Sequence, residues 1–111
     1  MGLDTRVNCC PDGLVTDRKR RIKVLDCTIR DGGICNQWDF DSAFVRSVFE
    51  ALVAAGIDYM EIGYKTQQGV YSRDDVGPWR FCEETDLADV VRPSPLKVAT
   101  MVDIGRVSVT D

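Results

Sequence analysis

Two apolar runs flank an amphipathic stretch of helical period, and that order restricts the chain more than any other feature. Ile22 to Thr28 is a β-branched run that reads as a buried strand. Phe44, Val45, Val48, Phe49, Leu52 and Val53 follow at i, i+1, i+4, i+5, i+8 and i+9, one apolar stripe on a helix. Asp41 or Ser42 is placed to cap that helix at its start, and Gly56 to stop it after Ala55. Ile57 to Tyr64 is a second apolar run. Strand, helix and strand in this order form a βαβ unit, which is parallel and right-handed by strong preference. The stripe is core packing rather than a cofactor-binding face.

The pattern continues. Tyr64 to Cys82 reads as a long loop, broken by Gly69, Gly77 and Pro78. Loops of this length in compact domains tend to carry function. Glu83-Glu84-Thr85-Asp86 opens a second helix through Val91, with acids in its first turn. Pro93 and Pro95 end it, and Leu96 to Val102 is the third strand, with Asp103 at its mouth and Gly105 turning the chain. Residues 1–21 form a polar lead-in with a turn at Pro11-Asp12-Gly13 and a charge run from Asp17 to Arg21; residues 22–111 form the α/β domain.

Composition removes several classes of function. The net charge of −4, with 14 basic and 18 acidic residues, offers no basic stripe for a nucleic acid. No run of eighteen apolar residues spans a membrane, and the N-terminus has no apolar core of signal-peptide type. Five cysteines are an odd count, which fits a reducing cytoplasm better than a stapled secreted scaffold. Cys9-Cys10 lacks a second pair, so ordinary thiols are favoured over a metal site. The sequence contains no histidine. That removes the usual general base, the usual metal ligand and every Ser-His or Cys-His arrangement.

The candidate chemistry sits at the end of the first strand. Arg30 and Asp31 lie side by side just before Gly32-Gly33, which reads as a sharp turn where backbone approaches a ligand closely. In parallel α/β proteins ligands bind beyond the carboxyl ends of the strands. Adjacent charges before a glycine turn are, on their own, commonly plain turn residues. Asp26 and Thr28 share one strand face and are suited to holding the turn through side-chain hydrogen bonds to backbone. Glu61 interrupts the second apolar run, and a carboxylate there is costly unless paired or bound. A salt bridge to Arg30 satisfies it as well as a functional role does.

The string Asp26-x-Thr28-x-Arg30-Asp31-Gly32-Gly33, followed by Asn36-Gln37-Trp38-Asp39-Phe40 and a helix, resembles the opening of the DRE-TIM metallolyases. That superfamily includes 3-hydroxy-3-methylglutaryl-CoA lyase, 4-hydroxy-2-oxovalerate aldolase and the isopropylmalate and homocitrate synthases. The resemblance is strongest to a bacterial aldolase-like subgroup, extends from about Ile22 onward, and includes Asp75-Val76-Gly77-Pro78-Trp79-Arg80-Phe81. It implies the N-terminal βαβαβ portion of a TIM (β/α)8 barrel. It also implies cleavage or formation of a carbon–carbon bond in a 2-oxo or 3-hydroxy acid, through a metal-stabilised enolate. On that resemblance Asp31 is a ligand to Mg2+ or Mn2+, Arg30 holds the developing enolate oxygen, and Glu61 orients Arg30 or takes part in proton transfer. The family's two late-strand histidines have no counterpart here, so the metal site is incomplete and the 111 residues alone are expected to be inactive.

A complete barrel takes about 250 residues. A partial one exposes strand edges, so self-association or a need for the missing barrel half is expected. Two other readings remain: an acyl-CoA-dependent synthase of the same superfamily, and a non-catalytic half-barrel. A Schiff-base aldolase using Lys65 or Lys97 is a further alternative. Homo-oligomerisation and a small-molecule substrate are the expected partnerships, with no nucleic acid or membrane.

Overall fold

The computed structural model describes residues 22–66 and 69–103. The lead-in through Arg21, the Cys9-Cys10 pair and Gly105 lie outside these residues. Three parallel strands form one sheet in the order β1-β2-β3: β1 is Leu25–Asp26, β2 is Tyr59–Lys65 and β3 is Lys97–Val102. A short helix α1, Thr28–Gly32, follows β1; α2, Ser42–Ala55, leads to β2; α3, Glu84–Val90, leads to β3. The expected βαβαβ order is therefore present.

Helix α2 has the expected bounds because its signals are local. The Asp41 carboxylate accepts the Phe44 N–H at 2.7 Å, and Gly56 ends the helix in the left-handed conformation, φ 75°. Val45 and Phe49 are fully packed against Met60 and Ile62 of β2, with Val48, Leu52 and Val53 beside them. Phe44 departs from the expected stripe: it is half-exposed and stacks on Phe40, ring centroids 5.4 Å apart. Arg46 of α2 reaches α3 and donates to the Asp89 carbonyl at 2.9 and 2.7 Å, satisfying an otherwise orphaned group near that helix's C-terminus.

The first strand is much shorter than the run Ile22 to Thr28. It pairs with β2 only through Leu25 and Asp26. The Asp26 carboxylate accepts both the Thr28 N–H, at 3.0 Å, and the Thr28 hydroxyl, at 2.7 Å. This side-chain capture turns the chain and opens α1, so β propensity loses to a local hydrogen bond. Asp26 and Thr28 do hold the turn, but not as two residues on one strand face.

Gly32-Gly33 is not a sharp turn. Gly32 is the last residue of α1 and Gly33 begins a 3-10 turn, Gly33–Cys35, both with right-handed helical dihedrals. Gly33 is nonetheless needed, because a Cβ there would run into the Trp38 indole. The close approach that the glycine permits is made by the protein's own tryptophan.

The stretch between β2 and α3 is also not an ordinary loop. Pro78–Arg80 forms a 3-10 turn, and Trp79, Phe81 and Cys82 are buried. The Trp79 indole donates to the Phe40 carbonyl at 2.9 Å, tying this segment to the connection before α2. Opposite it, β2 carries a register irregularity between Glu61 and Gly63. Bulges of this kind re-aim side chains and are common beside active sites.

The two glycines are expected to behave oppositely on replacement. Gly33→Ala should lower stability by about 1–3 kcal/mol through overpacking against Trp38. Gly32→Ala, with nothing within 4 Å of the added methyl, should be neutral or stabilising by about 0.5–1 kcal/mol. Chemical unfolding of the two variants checks this; equal effects would remove Trp38 as the reason for Gly33.

Candidate active site

Because β1 ends at Asp26, the following helix α1 folds over β2 and delivers Arg30 to Glu61. The Arg30 Nε donates to Glu61 Oε1 at 2.8 Å, with both side chains largely buried. The Arg30 Nη1 also lies 3.3 Å from Asp31 Oδ1. The three residues singled out in the sequence therefore meet at the end of the sheet beyond β1. Their environments differ. Glu61 is enclosed, whereas Asp31 has two-thirds of its side chain open to solvent, 66%.

The Glu61 carboxylate is the largest influence on Arg30 and holds its pKa above the ordinary arginine value; partial burial opposes this, and Tyr64 adds to it in the same sense. The guanidinium is thus a permanent charge in a restricted site, aimed by a charge-assisted hydrogen bond. The exposed contact with Asp31 contributes little by comparison. The backbone of Arg30 is held too: its carbonyl accepts the Trp38 indole N–H at 2.6 Å.

Behind this group lies a second cation that sequence reasoning passed over. Arg80 is 5% exposed. Its guanidinium carbon lies 3.8 Å from the Tyr64 ring centroid, 4.5 Å from that of Tyr71 and 4.9 Å from that of Trp38. Its Nη2 donates to Asp103 Oδ2 at 2.7 Å, at the mouth of β3. The available signal was Trp79-Arg80-Phe81 itself, an aromatic cluster too apolar for a solvated loop.

The lysines expected as Schiff-base alternatives lie at opposite ends of the sheet. Lys97 opens β3, level with Tyr59, far from the Arg30 end, and is exposed. Lys65 closes β2 and donates to the Cys82 carbonyl at 3.3 Å. Lys97 is therefore removed from the candidate site.

The described residues contain no group of three or more His, Cys, Asp or Glu side chains placed to hold a metal ion. Asp31 offers one open carboxylate, and its neighbour is a cation. This donor set does not by itself fit Mg2+ or Mn2+, which require several oxygen ligands. No helix among the described residues is long and apolar enough to cross a membrane.

No protein-family model matches the sequence. The chain is 31% identical over 101 residues to the oxaloacetate decarboxylase of Mycobacterium tuberculosis (strain ATCC 25618 / H37Rv), a match covering 88% of this chain and 30% of that protein. It is also similar to the crystal structure of the N-terminal domain of a candidate aldolase from Bacteroides vulgatus. That similarity has a TM-score of 0.55 and 33% identity, and covers 71% of this chain and 25% of that one. Both similarities are to proteins named for decarboxylase or aldolase chemistry. The chain spans under a third of the length of the curated relative it matches.

Cys82 provides an internal probe of this region. Burial pushes its thiol up to about 12; Asp86 adds to the shift and Lys65 opposes it. An unfolded cysteine ionises near about 8.5. The folded thiol therefore stays protonated where the unfolded one does not, and its contribution to stability, complete below that pH, is lost as pH rises toward the folded value. Unfolding midpoints of the native chain are expected to fall more steeply between about pH 8.5 and 11 than those of Cys82→Ala. Exposed Cys35 should alkylate well before Cys82 at pH 8. Equal slopes and equal reaction rates would contradict the burial of Cys82.

Proposed function

We propose that these residues are the N-terminal βαβαβ part of a TIM-type barrel that cleaves a carbon–carbon bond beside the carbonyl of a 2-oxo or 3-hydroxy acid. The observation that carries this reading is the Arg30–Glu61 pair with Asp31 adjoining it. The matches to an oxaloacetate decarboxylase and to an aldolase-type N-terminal domain support it, since decarboxylation and retro-aldol cleavage both leave an enolate. The resemblance of Asp26 to Gly33 to the opening of the DRE-TIM metallolyases adds the finer family placement.

Arg30 stabilises the oxygen on which negative charge develops. Its charge is fixed and its side chain is already hydrogen-bonded to Glu61, so little reorganisation is needed as the enolate forms. Glu61 aims the guanidinium. Asp31, open to solvent beside it, is the carboxylate free to meet an incoming group. A divalent cation, Mg2+ or Mn2+, would supply Lewis-acid stabilisation of the same oxygen, with Asp31 as one ligand. The described residues do not complete such a site. An acyl-CoA-dependent synthase would use the same enolate in the forming direction. Free thiols at Cys27, Cys35 and Cys82 support a reducing, cytoplasmic setting.

The sheet edge supports a partnership. Ile22, Val24 and Leu25 at the β1 edge are about half exposed, as is Val102 at the end of β3. Such apolar edges favour pairing with another chain or with further strands of a barrel. Sedimentation of the 111-residue chain is expected to show self-association rising with concentration; a cooperative monomer across the whole range would sink this part of the reading.

The catalytic assignment is tested in a parent protein that carries these residues together with the remaining barrel strands, by its turnover of 2-oxo acids, oxaloacetate among them, measured beside unfolding midpoints. Arg30→Ala should lower turnover by about 10²–10³, the usual cost of one lost oxyanion donor. Arg30→Lys, which keeps the charge and loses the fork, should fall substantially with folding intact. Asp31→Ala should abolish whatever stimulation Mg2+ or Mn2+ produces. Variants that lose stability and keep their turnover per folded molecule would make Arg30 and Asp31 plain structural residues.

A further inference from the structure

Two features beside the Arg30 site are unfavourable in themselves. Trp38 has φ 59°, in the left-handed region that a bulky side chain rarely adopts. Strained residues of this kind persist only when their surroundings over-determine them, and they cluster at functional sites. The second feature is Arg80. It is nine-tenths buried, yet its Nε and Nη1 have no hydrogen-bond partner among the described residues. The buried, partly unpaired charge would be absent if an apolar side chain filled the place of Arg80, so packing alone does not explain it.

They are in contact with each other, and Trp38 is in contact with Arg30. The Arg80 guanidinium lies over the Trp38 and Tyr64 rings, which meet edge to face at 5.5 Å. Trp38 holds the Arg30 carbonyl at 2.6 Å, and Tyr64 acts on the Arg30 guanidinium. At its other end Arg80 is fixed by Asp103, the residue after β3. A continuous path of packed groups thus runs from the mouth of β3, through one planar cation and two aromatic rings, to the main chain and side chain of Arg30.

We propose that Arg80 is a positioning residue for Arg30, clamping Trp38 and Tyr64 so that the α1 backbone and the guanidinium are held ready for an anionic oxygen. The planar guanidinium is what the clamp needs, because it stacks on several rings at once while donating through Nη2 to Asp103; a lysine ammonium is a point charge and does not stack in this way. This rests on the catalytic reading of Arg30 for its purpose, but the clamp itself is a separate physical claim.

The sequence contains two tryptophans, and each indole N–H has its own acceptor: Trp38 on the Arg30 carbonyl, Trp79 on the Phe40 carbonyl. Amide-type NMR of the 111-residue chain therefore reads the clamp and an internal control together. In Arg80→Lys, which keeps the charge beside Asp103, the Trp38 indole is expected to exchange with solvent about tenfold or more faster, because local opening becomes easier. The Arg30 Nε–H signal should shift or broaden, while Trp79 exchange and the unfolding midpoint stay near those of the native chain. Arg80→Met should give the same split between the two indoles.

An unchanged Trp38 indole in folded variants would overturn the proposal. So would equal acceleration of both indoles, or variants that do not fold at all, since Arg80 would then support the whole domain rather than Arg30. None of these results depends on turnover, so the clamp can fail with the catalytic assignment of Arg30 intact, and the reverse.

Discussion

At the carboxyl end of this sheet three segments are tied together by one contact, the Trp38 indole lying flush against Gly33. The glycine's missing Cβ leaves room for the ring, and the ring's N–H reaches the carbonyl of Arg30. With Trp38 in place, its own carbonyl accepts the Trp79 N–H at 3.4 Å, and the preceding Gln37 carbonyl accepts the Gly77 N–H at 2.7 Å. The segment between β2 and α3 is thereby pulled onto the sheet, and Arg80 arrives over the ring. A single steric allowance, one hydrogen atom in place of a methyl, thus brings together parts of the chain more than forty residues apart.

Electrostatics then sorts the charged groups. Arg30 and Glu61 form a short, mostly buried pair, and such pairs keep their geometry because breaking one leaves an uncompensated charge in a poor solvent. Arg80 and Asp103 form a second pair with a similarly buried cation. Asp31 shares neither condition and stays solvated. Arg80 is held under aromatic cover, Arg30 is aimed by Glu61, and Asp31 stands open to solvent beside it.

Two of the corrections to the sequence reading share a cause. A β-branched run predicted a strand through Thr28, and a glycine pair predicted a turn. Both inferences treated propensity as decisive at positions where one neighbouring side chain mattered more. Asp26 captures the Thr28 N–H, ends the strand two residues early and opens a helix that propensity does not predict. Gly33 answers to a tryptophan five residues on rather than to its own dihedral angles. Glycine and proline before Trp79-Arg80-Phe81 predict a loop, whereas its aromatic content matches the buried 3-10 turn that forms.

By itself the sequence determined the order of elements, the caps of α2 and the choice of Arg30, Asp31 and Glu61 as candidates. These rest on periodicity, on capping residues within a turn of their targets, and on charged groups set against apolar runs, all of which are local. Only the tertiary structure decided that Glu61 aims Arg30, that Asp31 stays open, that Lys97 is at the wrong end of the sheet, and that Arg80 lies behind the site. Those outcomes depend on parallel register and on how far β1 runs before α1 begins. Register is a relation between strands separated by a whole helix, and a side chain's solvent exposure is set by every element that packs over it. Neither quantity belongs to any one stretch of sequence.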